Sequence, residues 1–227
     1  MRPRPGGRRR GAVPATRQRL VLLGRWPAPG RCKRRLAAGI GARRAAAVQG
    51  QLLWHGLAAA RQAAHDGQAE GRAIEVVLAL SGVGPRAISR LGRKLPVDRL
   101  VGQGEGSLGV RLQRQVARAR REGIHQLVLV GTDLPHLCRA DLLEAFAALR
   151  RSALVLGPAS DGGYWLIGLS LQIQAPQLFA GAHSPIPWGG ARVWRRTVEA
   201  AAAAGLTPVL LAERHDLDRD DDLVPWR

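Results

Sequence analysis

Two aspartates stand where short apolar runs give way to glycine. Asp161 lies in Gly157-Pro158-Ala159-Ser160-Asp161-Gly162-Gly163-Tyr164-Trp165-Leu166-Ile167-Gly168-Leu169, between the apolar runs 153–156 and 165–167. Asp133 lies in Gly131-Thr132-Asp133-Leu134-Pro135, straight after the run 127–130. Apolar runs this short, bounded by Gly and Pro, read as buried strands. Both carboxylates therefore sit at strand ends, where open α/β sheets bind their ligands. A carboxylate there can hold a hard cation or take a proton. Gly162-Gly163 lets backbone come close to a ligand.

A third group is cationic. The segment Gly24-Arg25-Trp26-Pro27-Ala28-Pro29-Gly30-Arg31-Cys32-Lys33-Arg34-Arg35-Leu36 joins a strand to a helix start. Such a loop favours anions, and a diphosphate suits it. Lys33 is the sharper signal, because Lys33 and Lys94 are the only lysines of the chain. A lysine is a compact point charge fitted to a phosphate. The loop is neither a Walker A nor a G-x-G-x-x-G sequence, so neither nucleotide-binding class is supported. The last group is the acidic run Asp216-Leu217-Asp218-Arg219-Asp220-Asp221-Asp222-Leu223. Asp216 and Asp218 follow a strand directly and join Asp133 and Asp161 as candidates for a Mg²⁺ or Mn²⁺ site. Asp220 to Asp222 read as a solvated run.

The elements that must position these groups alternate. Strands are expected at 20–23, 74–80, 99–101, 125–130, on both sides of Asp161 and at 207–211. Helices are expected from Arg34 to His65, broken near Gly39 and Gly41, then at 108–122, 139–151 and 191–204. This alternation predicts an α/β fold with a mostly parallel sheet covered on both faces.

Composition sets the outer bounds. The 227 residues are 46% hydrophobic, enough for a real core in one domain with an extension. No apolar run is long enough to span a bilayer, and no secretory signal is read. Cys32 and Cys138 lack metal-type spacing, as expected of a reduced, cytoplasmic protein. The formal charge is +18, and seven of the arginines fall in 1–19, a segment with no acid. Residues 1–19 read as a disordered basic tail, 20–227 as the domain. Removing Met1 to Arg17 is expected to leave the fold intact. Arg-rich surfaces attract polyanions and phosphorylated small substrates, but no aromatic-rich basic motif or zinc-finger spacing supports nucleic-acid binding.

Together the motifs resemble the bacterial DUF2064 family, a glycosyltransferase family grouped with the nucleotide-diphospho-sugar transferases of GT-A-like fold. Its pattern runs K-x-P-x-P-G-x-x-K-T-R-L, Q-G-x-G-D-L-G-x-R, G-x-D-x-P, G-P-x-x-D-G-G-Y-x-L-I-G-L, W-G-T and D-I-D-T-x-E-D-L. The likeness spans Leu20 to Leu223 in order and is most specific at Gly157 to Leu169. It implies a single-domain, GT-A/Rossmann-like three-layer sandwich that binds a nucleotide-sugar or nucleotide. By position it assigns Arg25, Lys33, Arg35, Gly162, Gly163 and Trp188 to substrate, and Asp133 and Asp218 to a Mg²⁺ or Mn²⁺ ion on the nucleotide phosphates. Asp161 is then the candidate base and Lys33 the catalytic cation. Asp216 matches the first acid of D-I-D. Arg34 replaces the threonine of K-T-R-L and Gly190 that of W-G-T, and Ser107 replaces the acid of Q-G-x-G-D-L-G.

The reaction implied is glycosyl transfer from a nucleotide-diphospho-sugar to an acceptor. The same cations and acids would serve a nucleotidyltransferase that releases pyrophosphate. The replaced residues also leave open a catalytically weak nucleotide-binding module.

Overall fold

The computed structural model describes residues 16–172, 186 and 192–226, with the side chains of 225 and 226 left aside. Its elements in chain order are β1 (Gln18–Arg25), α1 (Arg34–Ile40), α2 (Ala42–Ala69), β2 (Ile74–Ser81), α3 (Pro85–Leu91), β3 (Arg99–Gly102), α4 (Leu108–Arg121), β4 (Gln126–Gly131), α5 (Arg139–Ala148), β5 (Leu154–Pro158), β6 (Tyr164–Ser170), α6 (Val193–Ala203) and β7 (Val209–Leu210). A 3₁₀ turn at Asp221–Trp226 follows.

The strands form one sheet in the order β3-β2-β1-β4-β6-β5-β7. β2 and β4 flank β1 in parallel, and β3 adds to β2 in parallel. β6 alone runs against its neighbours, antiparallel to both β4 and β5. The carboxyl ends of β1, β4 and β5 therefore lie along the same edge, which the amino end of β6 also meets.

The central strands are apolar on both faces because helices cover both. Leu20, Leu22, Val76, Leu78 and Val128 face α2 and α5, packing with Leu53, Leu57, Leu142 and Phe146. The alternate residues Val21, Val77, Ala79, Leu127 and Leu129 face α4 and α6, packing with Leu112, Val116 and Ala201. The three-layer α/β sandwich with a mostly parallel sheet is thus as expected. A third, smaller cluster joins Leu36 of α1, Ala45 and Leu52 of α2 and Leu217, and it holds the carboxy-terminal segment against the first two helices.

Three details differ from the sequence expectation. The long early helix divides at Gly41 into α1 and α2, as foreseen, but α2 continues to Ala69. α3 is unforeseen, since its seven residues present no buried side chain and hence no apolar stripe. The domain begins before Leu20: Gln18 and Arg19 are buried members of β1. Arg17 joins them, its carbonyl accepting from the backbone N–H groups of His125 and Gln126. A segment rich in arginine reads as tail, but this strand end is buried because its cations meet acids.

Candidate functional site

The three strand-end segments converge at the carboxyl edge of the sheet. Lys33 stands at the start of α1 in a left-handed backbone conformation, φ 44° and ψ 49°. Its side chain is only 3% exposed, and Nζ lies 3.0 Å from Asp133 Oδ1 and 4.0 Å from Asp218 Oδ1. Nζ also donates to the carbonyl of Leu217. The ammonium thus meets the two acids assigned to a metal, not open space for a phosphate. Since α1 is seven residues long, charged side chains rather than a helix dipole supply the positive field here.

Asp133 follows β4 directly and remains half-exposed. The carboxy-terminal segment is bound to it through the backbone, where Leu217 N–H donates to the Asp133 carbonyl at 2.9 Å. Asp218 also receives Arg35 Nη1 at 2.9 Å, an exposed pair. Asp222 accepts the N–H groups of Asp218 at 2.8 Å and Arg219 at 2.6 Å. Asp222 is therefore a turn-forming residue and not part of a solvated run. Its match to the last acid of D-I-D-T-x-E-D-L sets it apart from Asp220 but says nothing of its partners, which are backbone groups.

Asp216 is half-buried between these groups. Burial raises its carboxyl above the ordinary range, and the nearby charges of Asp161 and Asp133 act in the same direction while Lys33 opposes them. Asp161 itself is exposed, with Oδ1 accepting from Gly163 N–H at 2.9 Å. Gly162 has φ +87°, and its N–H donates to the Ala159 carbonyl at 3.1 Å. The glycine pair thus shapes the β5–β6 turn that presents Asp161. Gly157 is needed for another reason, since a Cβ there would stand 2.4 Å from the Trp165 indole.

The other predicted residues divide. Arg25 is exposed at the end of β1 and donates to the Arg31 carbonyl at 2.8 Å, closing the basic loop on itself. Ser107 caps α4, its hydroxyl accepting from Val110 N–H at 3.4 Å. Trp188 and Gly190 lie outside the described residues. Two supports were missed. Buried Gln103 donates to the carbonyls of Gly24 and Ala79, fastening the ends of β1 and β2. Arg214 pairs with Asp141, which also accepts from Cys138 N–H at the start of α5. Gln103 opens the Q-G-x-G-D-L-G pattern, which marks the residue but not its partners, and the Arg214–Asp141 pair carries no such mark.

Among the described residues no three His, Cys, Asp or Glu side chains gather closely enough to hold a metal by themselves. The donor set nonetheless fits a hard cation. Asp133 and Asp218 already converge on one cationic atom, and Mg²⁺ is commonly bound by one or two carboxylates plus substrate phosphates.

A larger cavity, about 1000 Å³, opens at the opposite, amino edge of the sheet and is lined by Arg19, Glu75, Arg99 and Glu122 among others. Arg19 and Arg99 each pair with Glu75 and Glu122. These charges satisfy one another, which marks the cavity as a structural ion network.

Residues 58–189, more than half of the chain, match the model of a family described as "Uncharacterized protein conserved in bacteria (DUF2064)". None of the curated proteins matches. Among solved structures, one similar chain is a candidate nucleotide-diphospho-sugar transferase from Desulfovibrio desulfuricans G20. It is 26% identical with a TM-score of 0.74, over 92% of this chain and 85% of that one. The manganese complex of Rv0371c from Mycobacterium tuberculosis H37Rv is 18% identical, with a TM-score of 0.51 over 91% and 96% of the two chains. The 4-diphosphocytidyl-2C-methyl-D-erythritol synthase of Anaerococcus prevotii DSM 20548 is 9% identical, with a TM-score of 0.60 over 92% and 95%. The last two likenesses are of fold.

Proposed function

The chain belongs to the DUF2064 family, and we propose that it is a transferase that passes a sugar from a nucleotide-diphospho-sugar to an acceptor hydroxyl, with Mg²⁺ or Mn²⁺. The observation that carries this reading is the meeting of Lys33, Asp133 and Asp218 at the carboxyl edge of the sheet. It is supported by the likeness to the Desulfovibrio chain along nearly the whole length.

The roles follow from position. Asp133 and Asp218 would hold the cation, which when bound neutralises the diphosphate leaving group. Lys33, Arg25 and Arg35 would add positive charge where that diphosphate sits. Gly162 and Gly163 leave the turn beside Asp161 free of side chains, so a sugar can approach it. The acceptor oxygen attacks the anomeric carbon, the bond from that carbon to the phosphate oxygen breaks, and the nucleoside diphosphate leaves. The acceptor's proton passes to Asp161, which is exposed and has one oxygen, Oδ2, outside its turn hydrogen bond.

Product analysis tests the reading. The protein with Mn²⁺ is incubated with a panel of nucleotide-diphospho-sugars and, separately, nucleoside triphosphates. Release of a nucleoside diphosphate from the first panel is expected. Release of pyrophosphate from the second would replace glycosyl by nucleotidyl transfer. A panel in which no ligand raises the melting temperature and no product forms would overturn both.

A further inference from the structure

We propose that the Lys33 ammonium and a divalent cation are mutually exclusive occupants of the space between Asp133 and Asp218, so that cation binding releases Lys33 towards a substrate phosphate. The inference rests on the metal assignment made under Proposed function. It adds a step, an exchange of cations, that precedes substrate binding.

Three observations carry it. The first is contact. Nζ is 3.0 Å from one carboxylate and 4.0 Å from the other. A Mg²⁺ ion takes oxygen ligands at about 2.0–2.1 Å, so an ion held by the same two carboxylates would stand against the ammonium with the same sign of charge. The second is burial. The Lys33 side chain is 3% exposed, so little solvent screens that repulsion. The third is the backbone. Lys33 is the one non-glycine residue of positive φ among the described residues. That conformation carries strain, which persists only while surrounding contacts hold it. The Lys33 carbonyl accepts from Ala37 N–H, so α1 holds this backbone in place while the ammonium changes partners.

The exchange explains why a lysine meant for phosphate is found on carboxylates. While it stays there it balances Asp133 and Asp218, which would otherwise repel one another. Once displaced, it is a free cation on a loop at the site edge. Arg35 cannot substitute, because its guanidinium is exposed and reaches Asp218 from outside.

The chain offers a clean readout because Lys33 and Lys94 are its only lysines and Lys94 is exposed. Acetylation by acetic anhydride, followed by peptide mass spectrometry, reports both amines in the wild-type protein. Lys33 is expected to react about tenfold more slowly than Lys94 without metal, and saturating Mn²⁺ to raise its rate about tenfold while Lys94 is unchanged. Mn²⁺ affinity is read in parallel by electron paramagnetic resonance. Lys33→Gly accepts the left-handed backbone and removes the ammonium, and should tighten Mn²⁺ binding by about tenfold or more. Lys94→Gln removes an exposed charge that has no part in the site and should change it less than about threefold. If Mn²⁺ binds, is lost in Asp133→Asn, and leaves Lys33 protected, the exchange is overturned and the metal assignment stands. If neither wild type nor Lys33→Gly binds Mn²⁺, both are overturned.

Discussion

Asp133 and Asp218 share a cation from within the chain, and their substitution separates binding from folding. Asp133→Asn and Asp218→Asn keep size and remove charge. Each is expected to weaken Mn²⁺-dependent binding of a nucleotide-diphospho-sugar by about tenfold or more, measured by calorimetry, and to abolish its metal dependence. The melting temperature should move little, because losing a contact with buried Lys33 is offset by relief of the repulsion between the neighbouring acids, and the Arg35–Asp218 pair is a surface one. Asp216 behaves differently. Its folded pKa lies above the ordinary 3.8, so the stability it contributes is complete below that value and falls as pH rises through the folded one. Asp216→Asn should therefore melt a few degrees higher than wild type at pH 7, and the difference should vanish at acid pH. A constant difference at all pH values would show that burial of the charge is not the cause.

At the scale of elements, the site depends on how the sheet edge is tied. Asp161 is presented by the turn between β5 and β6, and just before that turn Gly157 leaves room for the Trp165 indole. The Trp165 indole also donates to the Ala212 carbonyl at 3.1 Å, which links β6 to the segment leading to Asp216. Gly157→Ala would push a methyl group into this ring. It should cost about 1–3 kcal/mol, read as a fall in denaturation midpoint, and should lower transferase rate with it. The carboxy-terminal segment has a second tie through Arg214 and Asp141, and a third through Leu217 packed on Leu36 and Leu52. Three ties, from β6, from α5 and from α1 with α2, converge on the few residues that carry Asp216 and Asp218.

Across the whole molecule, polar work is divided between the two ends of the sheet. The carboxyl edge gathers acids around one lysine. The amino edge holds arginines and glutamates in a closed network that fixes the starts of β1, β2 and β3. There Arg99, with Arg19 beside it, lowers Glu122 from 4.5 to about 2, although burial works against them. Its folded pKa is depressed, so this stability is present above 4.5 and is lost as pH falls towards 2. Glu122→Gln should reduce stability at pH 7 by about 1–2 kcal/mol once solvent screening is allowed for, and by little at pH 2. The same edge sets the limit of truncation. Deleting residues 1–15 is expected to leave the melting temperature within about a degree, because that stretch has few apolar residues to bury. Deleting Arg17 as well removes its side-chain donation to the Glu122 carbonyl and the contacts of its backbone with β4, and should lower it.

The sequence by itself determined the layers of this protein and the edge at which its chemistry gathers. The short apolar runs that end in Gly131-Thr132-Asp133 and Gly157-Pro158 read as buried strands, and their alternation with helices predicts a largely parallel sheet with ligand-binding loops at one edge. Asp133, Asp161 and Lys33 were therefore legible as neighbours before any coordinates. Tertiary structure alone decided who meets whom. Lys33 precedes Asp218 by most of the chain, and it is the packing of Leu217 on α1 and α2, with the ties from β4, β6 and α5, that brings the carboxylate to the ammonium. Periodicity records which face a residue takes but not its partner across the fold. Hence Asp222 read as solvent-facing and Arg19 as tail, although each is held by groups distant in sequence or by backbone.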